Sequence, residues 1–435
     1  MEDPALIAIV AVTALLVLLA LGVYIGFALF AVGLVGLALM KSPSIAFTML
    51  GTIPYTSTGE FTLAVIPLFI IMGHFAVSGG LAAKAYAVGY TLLGSTKAGL
   101  ALASMLSCSM FAAATGSSAA TAATIGSVAI PEMEKRGYDT GFACGAVAAG
   151  GTLGVLIPPS VVLVVYGMIS GESIGQLLVA GFTPGIMMAL AYGATILLLA
   201  SIRPEVAPPG PPTTKREKVR ALGGIWGFAL LIFVILGGLY TGWGTPTEIA
   251  ALGALAAFIM AMPMYLRDRS ALWTALRETV ITTSMIFIII AGAKFFTIFI
   301  SVAGIPGYIT GLIIDSGLHP LMVLTLFYLM YIVMGMFLEP ISVMLISVPL
   351  AYPVVTALGY DGLWFGIIVC ILIETSYLTP PLGFNVFVIN GIVPHVSVGT
   401  IFKNSIVYVF TCILIIAILT ISPNIVTFLP SLMSR

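Results

Sequence analysis

Four short polar interruptions break otherwise apolar stretches of this chain, and their residue types could hold ions. In the first half they are Thr115-Gly116-Ser117-Ser118 and Gly150-Gly151-Thr152-Leu153-Gly154, the latter running on to Pro158-Pro159. In the second half they are Gly335-Met336-Phe337-Leu338-Glu339-Pro340 and Glu374-Thr375-Ser376, running on to Thr379-Pro380-Pro381. Proline removes a backbone donor and breaks a helix, which frees carbonyl oxygens. Those carbonyls, the hydroxyls and the carboxylates are the hard oxygen ligands that a small cation requires. A helix that restarts after an interruption turns the positive end of its dipole toward an anion. An opposed hairpin tip and broken helix in each half would make two cation sites around one central anion site.

Other readings of these residues stand beside that one. Gly, Ser and Ala between Ala113 and Ala123 also suit close helix packing at membrane depth. Glu339 and Glu374 are carboxylates inside apolar stretches, functional candidates by default, and a buried structural hydrogen bond is the alternative. Lys294 could snorkel, pair with a glutamate or contact substrate, and stays unassigned. Asp139 and Asp361 stand where helices begin, so N-terminal capping is the simpler reading.

The elements that must position these groups are membrane helices. Hydrophobic residues make up 60% of the chain and charged residues 7%, with mean hydropathy +1.19. A soluble domain carries roughly a quarter charged residues, so a water-exposed globular surface is excluded over most of the length. Zero net charge offers no basic field for nucleic acid. Cys108, Cys144, Cys370 and Cys412 lie in apolar stretches without CxxC spacing and read as packing residues. The histidines His74, His319 and His395 are far apart, which argues against a His-based metal site. The start Met-Glu-Asp has no basic region, so the first apolar stretch is expected to be a permanent span.

A membrane helix needs about 20 apolar residues. Ten spans are expected, near 5–21, 23–40, 61–78, 140–169, 177–201, 222–241, 247–266, 279–302, 362–391 and 401–425, with Gly22 as a turn between the first two. Stretches 98–134 and 320–357 each carry a polar interruption near the middle, and are expected to enter and leave on one side as re-entrant hairpins. With the N-terminus outside, 13 of the 16 Lys and Arg residues then fall on the cytoplasmic side, as the positive-inside rule requires. The exceptions are Lys41, Lys294 and Arg435.

Segment 202–221 is the only extended polar linker, and the halves on either side resemble each other. Gly137-Tyr138-Asp139 recurs as Gly359-Tyr360-Asp361, offset by 222 residues, and Leu156, Pro158 and Pro159 recur at the same offset as Leu378, Pro380 and Pro381. Ser173-Ile174-Gly175 matches Ser397-Val398-Gly399 more weakly. Five spans per half is an odd number, so the second copy must be inverted in the membrane, a construction rule of secondary transporters. The expected architecture is an all-α polytopic membrane protein of two inverted repeats, 1–201 and 222–435. Each repeat holds one re-entrant hairpin and one broken helix, and a cytoplasmic linker, 202–221, joins them.

At these motifs the chain resembles the large membrane subunit of tripartite ATP-independent periplasmic (TRAP) transporters, the DctM-like family. The residues that carry the resemblance are Ala114 to Thr121, Gly137-Tyr138-Asp139 and Gly151 to Ser160, then Leu338-Glu339-Pro340 and Leu378 to Asn385. The resemblance implies an elevator-type, multi-pass transporter of the bacterial inner membrane, and the span count with the charge pattern places both termini on the periplasmic side. It would work with a small four-helix membrane subunit and a periplasmic solute-binding protein. A sodium gradient, without ATP or an organic cofactor, would drive uptake of an organic acid such as a C4-dicarboxylate. By motif position it points to Ser117, Ser118, Gly151 and Gly154 for one sodium site, and to Gly335, Ser376 and Thr379 for the other. Thr115, Thr152, Pro158, Glu339, Glu374, Pro380 and Asn385 are the candidates around the central substrate site.

A stand-alone sodium–carboxylate symporter of similar hairpin architecture is the competing expectation. An intramembrane protease is disfavoured, since Ser117 or Ser118 with His74 is the nearest approach to a nucleophile–base pair and no carboxylate motif orients it. Duplicated hairpins suit alternating access better than a continuous pore.

Overall fold

The computed structural model describes residues 4–210 and 212–433, which are almost entirely helical. Met1 to Asp3, Pro211 of the linker, Ser434 and Arg435 lie outside the described residues, and with them the two chain ends expected to be periplasmic.

Among the described residues, eight helices are long and apolar enough to cross a membrane. The others are shorter, and here the structure departs from a plain set of ten spans. The run from Leu6 to Met40 forms helices Pro4–Ala20 and Ile25–Met40, of 17 and 16 residues, with Gly22 at φ 80° in the turn between them. Helices Pro43–Thr58, Leu81–Leu93 and Ile305–Asp315 stand outside the expected spans. The first of these starts where Ser42 accepts the Ile45 N–H at 3.3 Å and Pro43 fills the first turn, a cap and proline pairing that initiates helices. The span expected at 279–302 is the end of a 34-residue helix, Arg269–Val302.

The linker is also less extended than its prolines suggest. Lys215–Leu222 is helical because Thr214 and Glu217 cap it reciprocally, satisfying N–H groups that the first turn leaves unpaired. It runs on as one long helical segment, Lys215–Thr241.

Both polar-tipped stretches fold as helix–tip–helix hairpins. The first has arms Gly99–Thr115 and Ser118–Lys135, the second Pro320–Phe337 and Pro340–Ala357. Both double-proline segments are broken helices. Thr140–Gly151 gives way to a tight turn and irregular backbone before Val161–Ser170, and Gly362–Ser376 does so before Phe384–Ile392. The Pro158-Pro159 and Pro380-Pro381 peptides are both cis.

Helix boundaries repeat at the 222-residue offset. The second hairpin arms begin at Ser118 and Pro340 and end at Lys135 and Ala357; the broken helices begin at Thr140 and Gly362. Asp139 and Asp361 cap them, their carboxylates accepting the Phe142 and Trp364 N–H groups at 2.7 and 2.8 Å. Contacts are exchanged between the halves. Ile25–Met40 packs on Arg269–Val302 while Phe61–Ser78 packs on Pro246–Arg267, and Ser118–Lys135 packs on Phe384–Ile392 while Pro340–Ala357 packs on Val161–Ser170. Such reciprocity is what a two-fold relation between halves requires.

Candidate ion and anion site

The first hairpin tip meets the first helix break at two glycines. Gly116 has φ 62°, and a β-carbon there would strike the Pro159 carbonyl oxygen. A β-carbon on Gly154 would lie 2.6 Å from the Ser117 carbonyl carbon and 2.7 Å from the Ser118 nitrogen. Only residues without side chains allow this approach. Ser117 caps the second arm, accepting the Ala120 N–H at 3.3 Å. The Thr115 hydroxyl donates to the Phe111 carbonyl at 3.1 Å. Ser118 is buried, and its Oγ has no hydrogen-bond partner.

The second hairpin meets the second broken helix through Gly335, where a β-carbon would collide with the Ser376 side chain. Ser376 Oγ donates to the Ile373 carbonyl at 2.5 Å, and Thr379 Oγ1 to the Thr375 carbonyl at 2.8 Å. Each hydroxyl has then used its proton and keeps lone pairs for a cation. Glu339 at this tip is exposed and accepts the Ser342 hydroxyl at 3.1 Å.

Between the tips lies a cavity of about 700 Å³. Four helices present their first residues to it, namely Ser118, Val161, Pro340 and Phe384. Unpaired N–H groups and the positive dipole end at each N-terminus favour an anion there. The opposite wall includes Gly73 and His74 of helix Val65–Ser78, and Thr282 and Ile286 of helix Arg269–Val302. His74 is the one basic and Glu339 the one acidic side chain in this lining, which holds no Lys or Arg. Beside it, the orphaned Ser118 oxygen, the spare hydroxyl lone pairs and the close glycine contacts fit a small hard cation better than a transition metal.

The family described as the tripartite ATP-independent periplasmic transporter, DctM component, matches residues 12–425. The chain belongs to the DctM family. It is 34% identical over 379 residues to the C4-dicarboxylate TRAP transporter large permease protein of Pseudomonas aeruginosa, covering 87% of this chain and 88% of that protein. It is 29% identical over 415 residues to the sialic acid TRAP transporter large permease protein of Vibrio cholerae, covering 94% and 95%. Among solved structures, the YdaH transporter of Alcanivorax borkumensis shares the fold, with a TM-score of 0.64 at 15% identity over 86% of this chain and 88% of that one. DctM chains are transporter permeases, not enzymes, and the apolar helices make this a multi-pass membrane protein.

In this DctM chain, Thr115, Ser117, Ser118, Gly335 and Glu339 line the cavity. Gly151, Thr152, Gly154, Pro158, Glu374, Ser376 and Asn385 are buried and outside that lining, as are half-buried Thr379 and exposed Pro380. Thr152 Oγ1 donates to the Ala149 carbonyl at 2.7 Å and stands 2.9 Å from the Tyr192 hydroxyl, which lies 2.9 Å from Cys412 Sγ. Lys294 is exposed and forms no ion pair among the described residues. Thr282, Ile286, Tyr377 and Phe387 enter the lining without a sequence signal, whereas Phe384 lies in the Leu378 to Asn385 motif and a histidine in an apolar helix was a visible mark for His74.

The two breaks differ in exposure. Residues 151–160 are all buried, whereas Pro380, Pro381 and Leu382 are exposed.

Proposed function

We propose that this chain couples sodium entry to the import of an organic acid, a C4-dicarboxylate or another carboxylate. In this reading it works with a small four-helix membrane subunit and a periplasmic solute-binding protein in a bacterial inner membrane. The observation that carries the reading is the convergence of four helix N-termini on one cavity that lacks Lys and Arg. Backbone N–H groups can hold a carboxylate there, but partial dipole charges do not neutralise it. Cations bound beside it supply the missing charge and travel with it.

Ser117, Ser118, Gly151 and Gly154 would hold one sodium ion, and Gly335, Ser376 and Thr379 the other. The open tips and glycine-tight breaks support these assignments. The exchanged contacts between halves and the one-sided charge pattern support inverted repeats, which suit alternating access by an elevator movement. Organic-acid selectivity follows the names of the relatives in Pseudomonas aeruginosa and Vibrio cholerae.

The deciding experiment is uptake by the reconstituted complex under an imposed sodium gradient, with candidate ligands of the binding protein. Uptake that persists after the sodium gradient is collapsed would overturn the coupling. Uptake by this chain alone would favour a stand-alone symporter.

A further inference from the structure

Helices Pro4–Ala20 and Ile25–Met40 fold back on each other across the turn at Gly22, and a groove of about 430 Å³ lies between them. Six residues from Ile7 to Leu18 form one wall, six from Ala31 to Met40 the other, and Phe299 of helix Arg269–Val302 the floor. The gap has a cause in the sequence. A β-carbon on Gly36 would collide with the Phe299 ring, so glycine there lets the second helix press onto Arg269–Val302. On the side facing the first helix, Ala11, Ala14 and Ala31 are too short to fill the space that remains. All the wall residues are apolar. Val10, Val17, Val35 and Leu39 are exposed, so the groove opens toward hydrocarbon.

These walls decide the class of occupant. Water finds no hydrogen-bond partners in such a space, and a void would forfeit dispersion contacts along both sides. Hydrocarbon supplies them. The dimensions then separate a lipid chain from a partner helix. The helical rise from Ile7 to Leu18 is about 16 Å. A volume of 430 Å³ over that length is about 6 Å across, whereas a helix with its side chains measures about 10–12 Å. One extended acyl chain fits, and a helix does not. The length is about half of the roughly 30 Å hydrocarbon core, which is the depth of one leaflet.

The groove also sits off-centre along its hairpin. It reaches Met40, the last residue of the second helix, but at the other end stops at Ala31, well short of Ile25. Directly beyond Met40 stands Lys41, exposed and without an ion pair among the described residues. Lys41 is one of the three basic residues that the one-sided charge pattern leaves out. An ammonium at the rim of a hydrocarbon groove keeps its head among the lipid headgroups and attracts an anionic one.

We propose that this groove holds one acyl chain of an anionic phospholipid from the leaflet on the side of Lys41, with the Lys41 ammonium at its phosphate. The lipid completes the packing that the short alanine side chains leave open. The site lies apart from the cavity between the hairpin tips, and the proposal is independent of the sodium-coupled reading.

For the test, the full chain is purified in detergent, stripped of lipid and titrated with palmitoyl-oleoyl phosphatidylglycerol. Bound lipid is counted by native mass spectrometry. One molecule per chain should be held about threefold or more tightly than the matching phosphatidylcholine. Dioctanoyl phosphatidylglycerol, too short to fill the groove, should bind more weakly than the long-chain form. Ala14→Trp fills the groove and should abolish this binding; should that variant fail to accumulate, Val35→Trp, at the exposed mouth, carries the same test. Lys41→Gln should keep the bound lipid and lose the preference for phosphatidylglycerol. Unchanged retention in the tryptophan variant overturns the groove as the site, and an unchanged preference in Lys41→Gln overturns the headgroup assignment. Release of the lipid when the small membrane subunit is added would make the groove a seat for protein and overturn the proposal as well.

Discussion

Ser117 and Glu339 stand 222 residues apart at the same post in two hairpins, the residue just before the second arm, yet only Ser117 accepts a backbone N–H of its own helix. Ser117 Oγ accepts the Ala120 N–H, while the Glu339 carboxylate takes the Ser342 hydroxyl and is exposed at the cavity. One tip therefore carries a neutral group committed to its helix backbone, and the other a carboxyl group held by a single hydroxyl and exposed at the cavity.

Glu339→Gln keeps the shape and removes that charge. Transport by the reconstituted complex should slow by roughly tenfold, equivalent to about 1.4 kcal/mol. Initial uptake rates at saturating sodium check this, and wild-type rates would reduce Glu339 to a structural residue.

Replacing Ser117 and Ser118 together by alanine removes two hydroxyl oxygens from the first tip and leaves its glycines in place. The sodium concentration for half-maximal uptake should rise on the order of tenfold, with membrane insertion intact. Sodium dependence identical to wild type would refute the assignment of this tip to ion binding.

Gly116 and Gly137 both have positive φ, 62° and 78°, but only the first faces an obstacle. Gly137→Ala should cost about 1–2 kcal/mol for the left-handed backbone alone, since nothing lies within 4 Å of its β-carbon position. Gly116→Ala adds a collision with the Pro159 carbonyl and should cost roughly 2–5 kcal/mol in all. Thermal unfolding of the purified variants compares the two, and equal losses would mean that the tip is not held against the break.

Asp139→Ala and Asp361→Ala should each cost about 1 kcal/mol, the usual worth of an N-cap. Their effects should match within about 0.5 kcal/mol and add in the double variant. A large loss at only one of them, read by the same unfolding assay, would show that the two caps are not equivalent.

The hairpins, the breaks and the aspartate caps were legible in the sequence because each interrupts an apolar run with Gly, Pro or a polar residue. The 222-residue register was legible for the same reason, since Gly137 and Gly359 both take positive φ and the two Pro-Pro pairs both break helices. Pro43–Thr58 was not legible as a helix, because its Thr48, Thr52 and Thr56 dilute the apolar signal. Those hydroxyls donate to carbonyls one turn back, such as Thr48 to Ser44 at 2.9 Å, a compensation visible only once the helix exists. The far wall of the cavity was hidden too. Thr282 and Ile286 belong to a helix whose local pattern is simply that of a span, and only packing brings them opposite the tips. Glu374 and Asn385 were visible as polar residues in apolar surroundings, but sequence could not show that both would be fully buried and outside the lining of the cavity.

The unequal exposure of the two breaks carries a last consequence. Residues 151–160 are wrapped on all sides, while their counterparts around Pro380 and Pro381 lie open. One molecule thus displays a shut and an ajar version of the same structural part, each already a well-packed solution for nearly the same pattern of residues. In the alternating-access reading proposed above, the transport step would trade these two environments between the halves.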